Sequence, residues 1–224
     1  GLSVWMPSFF GTAGRKLSGP YIAGSMLRAC VMREFSVFKK NTNSPVTSWL
    51  RALARHVHRE CGGRGVGALG MCLTGGFALA MMVEESVIAP VLCNPSLPFA
   101  LTPARKGDLG VDSATLARAR ARSIEGGVCL MGLRFTEDIA VPHERFQRLR
   151  EEFGEHFIAI EINSGSGCAE GLSRLSHSVL GADFVADPQH PTALAESRAV
   201  TFIRDRLMAP PQRTSPGLEL ATAD

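Results

Sequence analysis

One stretch of the sequence combines a nucleophile with the backbone freedom that a nucleophile needs: Gly70-Met71-Cys72-Leu73-Thr74-Gly75-Gly76. An apolar run precedes it and a stretch of small residues follows it, so Cys72 falls where a buried strand turns sharply into a helix. Such a turn crowds the backbone, and its neighbours must be small if the nucleophile is to stand alone above the sheet. Gly70, Gly75 and Gly76 meet that demand. The start of a helix also favours a thiolate through its free N–H groups and dipole. The backbone N–H of Leu73 is then placed to donate to an oxyanion. The competing interpretation is a structural cysteine in an ordinary strand-turn-helix. It leaves the three glycines unexplained.

A thiol nucleophile of this kind requires a histidine as proton carrier and an acid to orient it, in the chain order nucleophile, acid, histidine. Asp138 lies in Gly132-Leu133-Arg134-Phe135-Thr136-Glu137-Asp138, at the carboxyl end of an expected strand, with Glu137 as its neighbouring rival. His177, in Leu175-Ser176-His177-Ser178-Val179-Leu180, follows the last expected strand. The other histidines fit this order less well. His56 and His58 fall on a helix before the nucleophile, His143 opens a helix, His156 precedes a strand, and His190 stands between Gln189 and Pro191.

The elements that must position these residues follow from periodicity. Residues 2–6 read as a short strand ending at Pro7, followed by a Gly/Pro/Ser-rich loop through Gly24 and a helix over 25–38. Ser44 and Pro45 open a further helix, with Val46, Trp49, Leu50, Leu53 and Val57 on one face and Gly62 and Gly63 ending it. Beyond it, strands are expected at 66–71, 87–92, 128–133 and 157–162. Helices are expected at 75–83, 112–123, from Pro142 to before Gly154, and over 191–208, the last with Val200, Ile203 and Leu207 inward. Alternating strands and helices predict an α/β fold with a mostly parallel sheet covered on both faces. Residues 1–208 form the expected domain, and 209–224, rich in Pro, Ser and Thr, the expected tail.

Bulk composition narrows the function classes. The 224 residues are 45% apolar and 20% charged with a formal charge of +3, as in an ordinary globular domain. Arg118, Arg120 and Arg122 alternate along one helix and read as a solvated face, so no nucleic-acid surface is expected. No apolar run is long enough to span a membrane and no signal peptide is visible, although the chain opens at Gly1. Six cysteines without a C-x-x-C pair predict neither a zinc site nor a disulfide framework, and a reducing, cytoplasmic setting is the default. Cys93 and Cys129 read as small core residues.

These motifs resemble the dienelactone hydrolase family. The segment 70–75 resembles its Gly-aromatic-Cys-Leu-Gly-Gly elbow, with Met71 and Thr74 as departures. Gly132 through Pro142 is similar to its acid loop, His177-Ser178 to its histidine-serine pair, and Pro7-Ser8-Phe9-Phe10-Gly11 to the end of one of its early strands. The resemblance spans roughly residues 2–208 and implies an α/β-hydrolase fold with a Cys72-Asp138-His177 triad. It also implies hydrolysis of small esters or lactones through a thioester, without metal or organic cofactor. It suggests Arg33 and Ser178 as substrate-binding residues. In the family, a glutamate and a second oxyanion donor come from a loop that would precede residue 1. A strand of the family's sheet would likewise be missing between the strand at 2–6 and that at 66–71. A fragment of a longer protein, with a gap in its sheet, is therefore expected. Glutamine amidotransferases share a Gly-x-Cys-x-Gly elbow but carry a late His-x-Glu pair, which His177-Ser178-Val179 lacks. An inactive hydrolase fold serving as a binding protein is the alternative from another class.

Overall fold

The computed structural model describes residues 1–9, 18–21, 24, 27, 28 and 42–208. Four strands, β1 (Val66–Met71), β2 (Val87–Cys93), β3 (Leu130–Phe135) and β4 (Phe157–Ile162), form one all-parallel sheet in the order β1-β2-β3-β4. Each parallel step requires a crossover, and helices supply all three: α2 (Phe77–Met81), α3 (Ser113–Ile124) and α4 (His143–Phe153). Helix α1 (Val46–Cys61) precedes β1, and α5 (Pro191–Met208) follows β4. The protein is thus an α/β structure with its sheet between helices.

The alternation of side chains along the strands builds two cores. One face buries Val87, Leu92 and Leu130 with residues of α1 to α4, including Ala54, Leu79, Ala119, Phe146 and Leu149. The other buries Ala89, Val91, Cys93, Met131, Leu133 and Phe135 under Ala195, Ala199 and Phe202 of α5. Gly132 leaves room on the first face for Phe146 and Phe157, whose rings meet edge-on at 5.4 Å. A Cβ there would lie 2.8 Å from the Phe157 ring.

Several elements differ from expectation. Residues 2–6 form no strand. Leu2, Val4, Trp5 and Met6 are exposed, and Trp5 and Phe9 rest edge-on against His56 and Trp49 of α1. No gap therefore opens within the sheet; β1 is its edge among the described residues. Residues 19–21, 24, 27 and 28 are helical, so helix begins inside the expected loop. The rest of the helix expected over 25–38, Arg33 included, and the tail lie outside the described residues. Helix α1 buries Thr47, Leu50 and Ala54 rather than Trp49. Helix α5 buries Thr192, Ala195, Ala199 and Phe202 while Val200 is half exposed. Cys129 is half-buried just ahead of β3.

Arg122 departs from the solvated-face interpretation for a clear reason. Its guanidinium donates to the carbonyls of Met82, Glu84, Glu85 and Val87, tying α3 to the α2–β2 connection. Arg120 does face solvent, 3.5 Å from Glu152. Among the described residues, no helix is long and apolar enough to cross a membrane.

Candidate active site

Cys72 leaves the carboxyl end of β1 with φ +52°, in the left-handed region that an L-residue enters at a cost of about 1–2 kcal/mol. The turn that holds it there is over-determined. The Met71 N–H donates to the Thr74 hydroxyl (3.1 Å), and that hydroxyl donates back to the Met71 carbonyl (2.9 Å). The Cys72 carbonyl accepts from the N–H groups of Gly75 (2.9 Å) and Ser96 (3.2 Å). Thr74 is thus the residue that closes the turn.

The glycines are not equivalent. A Cβ at Gly70 would fall 2.2 Å from the Thr74 carbonyl oxygen, and one at Gly75 would fall 2.5 Å from Pro95 Cα. At Gly76 the nearest atoms are at 3.5 and 3.6 Å, ordinary contact, and the backbone is already helical. Gly70→Ala and Gly75→Ala are therefore expected to destabilise by several kcal/mol (of the order of 3, by the cost of overpacking). Gly76→Ala is expected to be neutral or to stabilise by up to about 1 kcal/mol. Urea unfolding of the three variants checks the ranking; an equally damaging Gly76→Ala would overturn it.

The three candidate residues converge. His177 Nε2 lies 3.1 Å from Cys72 Sγ, and His177 Nδ1 lies 2.7 Å from Asp138 Oδ2. Asp138 is 4% exposed, and its other carboxylate oxygen accepts the Ala140 N–H at 2.9 Å, which fixes the group in the loop after β3. Glu137 points elsewhere, half exposed and 3.7 Å from Arg174. No protein-family model matches the chain, and no curated protein matches it significantly.

Electrostatics follow the geometry. Burial pushes the Cys72 thiol up. The His177 hydrogen bond and charge, the Ser96 hydroxyl and the Leu73 N–H outweigh it and hold the thiol below its ordinary value. Burial would also lower His177, but its hydrogen bonds to Asp138 and Cys72 prevail and push it up to about 10. Both shifts favour the thiolate–imidazolium form of the pair over the neutral one. The expected helix dipole contributes less than the sequence suggests. A 3₁₀ turn over Cys72–Thr74 intervenes, and α2 has only five residues.

The loops that bring His177 into place use residues the sequence did not single out. One Asp183 carboxylate oxygen accepts the N–H groups of both His177 (3.0 Å) and Ser178 (2.8 Å). Asn94, at φ +48° after β2, accepts the Val179 N–H at 3.2 Å. Ser178 is half-buried, its carbonyl accepting from Gly181 and Asp183 and its hydroxyl packed where a Gly181 Cβ would be. Those contacts are those of a turn residue, and none marks it as a substrate ligand. The other histidines lie apart from this site in structural contacts: His58 reaches the Gly63 carbonyl, and His190 the Thr192 hydroxyl at the start of α5. Among the described residues, no group of three or more His, Cys, Asp or Glu is placed to hold a metal ion. The five described cysteines are free thiols.

Proposed function

We propose that the protein is a cysteine-dependent hydrolase of small esters or lactones, similar in chemistry to dienelactone hydrolases and built on an α/β-hydrolase type of sheet. The observation that carries this reading is the continuous chain Cys72–His177–Asp138, with the sulfur displayed at a left-handed strand-to-helix turn. The Cys72 thiolate attacks the carbonyl carbon, and a C–S bond forms as the carbonyl electrons move onto oxygen. The Leu73 N–H, already directed at the sulfur, is available to that oxyanion. His177 gives its proton to the leaving alkoxide as the C–O bond breaks, which leaves a thioester and a neutral imidazole. Water then loses a proton to His177 and adds to the thioester. The C–S bond breaks, and the acid leaves with the thiolate restored. Asp138 remains ionised throughout, holding Nδ1–H so that Nε2 faces the sulfur.

The pH dependence follows from the two shifts. Nucleophilic reactivity requires the thiolate, so it rises through the depressed value of Cys72. Protonation of the alkoxide requires the imidazolium, so hydrolysis falls as pH rises through about 10. The expected profile for an alkyl ester is a bell, its acid limb lower than that of an ordinary thiol and its alkaline limb at about 10. Selective alkylation of Cys72 by iodoacetamide at pH 7, located by peptide mass mapping, is the accompanying test. Uniform slow labelling of all cysteines, with no esterase activity, would favour an inactive hydrolase fold that binds rather than cleaves.

A further inference from the structure

Ser96 stands in the loop that leaves β2, beside the turn that carries Cys72. It is 2% exposed, its N–H donates to the Cys72 carbonyl, and its hydroxyl lies 3.7 Å from Cys72 Sγ. Among the described residues that sulfur is the hydroxyl's only hydrogen-bond partner. A buried hydroxyl with no partner costs about 1–3 kcal/mol, so the sulfur is what satisfies it. Once Cys72 is the thiolate that attack requires, it has no proton to give, and the hydroxyl is then the donor of this bond.

The loop is built to hold this hydroxyl in place. Arg145 of α4, 1% exposed, sends its guanidinium to the carbonyls of Pro95, Pro98 and Asp108, so both flanks of Ser96 are tied to one rigid group. Pro95 in turn packs on Gly75, where a Cβ would not fit. Elbow and loop are thus locked together, with Ser96 Oγ facing the sulfur.

We propose that Ser96 is a catalytic residue of this site, donating its hydroxyl hydrogen to the Cys72 sulfur and stabilising the thiolate as nucleophile and as leaving group. The inference rests on reading Cys72 as the nucleophile. Acylation consumes the thiolate and deacylation regenerates it when the C–S bond breaks. A donor fixed on the sulfur therefore eases its expulsion from the tetrahedral intermediate, and the hydroxyl proton is not transferred in either step. The donor works beside the imidazolium, on a sulfur that also receives the Leu73 N–H. Asp138 faces the pair from behind His177.

The test is the pH dependence of Cys72 alkylation by iodoacetamide in wild-type protein, Ser96→Ala and Ser96→Thr. Loss of the hydroxyl is expected to raise the alkylation midpoint by roughly 0.5–1 pH, slowing the reaction below the midpoint about three- to tenfold. The rate on the high-pH plateau should be unchanged or higher, since a less stabilised thiolate is the better nucleophile. A merely structural role would lower the plateau and leave the midpoint in place. Ser96→Thr, which keeps the hydroxyl, should keep the wild-type midpoint. If Ser96→Ala does not fold, Ser96→Gly removes the same hydroxyl. A wild-type midpoint in any folded variant lacking the hydroxyl overturns the proposal and leaves the nucleophile standing. Absence of selective Cys72 labelling in the wild type removes both.

Discussion

Cys72→Ala is expected to reduce hydrolysis of p-nitrophenyl acetate by at least about 10⁴-fold while the protein keeps its fold. No other described thiol can substitute. Cys93 lies buried, and desolvation pushes its thiol up to about 12, so it offers no thiolate near neutrality. Nor does the fold depend on the Cys72 sulfur, because Thr74 and the N–H groups of Gly75 and Ser96 close the turn through backbone atoms of residues 71 and 72. A further comparison isolates the strain. At φ +52° any Cβ is unfavourable, and glycine alone escapes it. Cys72→Gly should therefore unfold at higher urea than Cys72→Ala, by about 1 kcal/mol. Wild-type turnover in Cys72→Ala would remove the nucleophile assignment. Equal stability of the two variants would mean that the turn relaxes once the sulfur is gone.

The bounds of β1, β4 and α5 coincide with those that periodicity gives. Two-sided burial is not the reason, since β1 and β4 are only partly buried while β3, buried throughout, is the strand whose start was misplaced. At β3 the start lies two residues later than expected. Val128, in the connection, is tied back to the end of α3, its N–H on the Arg122 carbonyl and its own carbonyl on the Ser123 hydroxyl. Helix faces were harder to read. Where α5 lies close over the sheet, Ile203 is 3.0 Å from where a Gly67 Cβ would be, so alanines are buried there and the larger Val200 is displaced outward. A search for large apolar residues finds Ile203, which packs on the sheet, but misses Ala195, Ala199 and Phe202 and wrongly includes Val200. The strand expected at 2–6 failed for another reason. Apolar composition alone does not provide a ladder partner, and the segment lies along α1 instead.

In the site, legibility followed how strongly each role restricts residue type. The crowding at Gly70 and Gly75 admits glycine alone, so the turn around Cys72 stood out in the sequence. Asp138 and His177 were found because chain order and strand ends limit where such partners fall. Ser96, Asp183 and Arg145 act through backbone N–H and carbonyl groups or a single contact in space, and those roles leave no spacing pattern. Ser96 alone had an indirect signal, its place just past the strand paired with β1, at the carboxyl edge where sites gather in open parallel sheets.

Asp138→Asn and His177→Ala are each expected to lower kcat by about 10³- to 10⁴-fold, and Glu137→Gln to change it less than about twofold. The Glu137 side chain faces solvent with its carboxylate 3.7 Å from Arg174, so its charge is screened from the sulfur. Asp138 is dry and has one oxygen occupied by the Ala140 N–H, so its only free role is to accept His177 Nδ1–H. An asparagine would present an amide there that favours the opposite tautomer. The proton would then sit on Nε2 against the sulfur of a neutral pair, and the Cys72 thiol would lose both its proton acceptor and its counter-charge. The alkylation midpoint of Cys72 should therefore rise in Asp138→Asn as in His177→Ala. Because the two residues support one proton transfer, the double variant should be no more than about tenfold slower than the worse single one. Turnover numbers and alkylation profiles of the four variants decide it. Fully multiplicative losses, or a greater effect at Glu137 than at Asp138, would mean that the hydrogen-bonded chain at the mouth of β1 is not the unit that performs the chemistry.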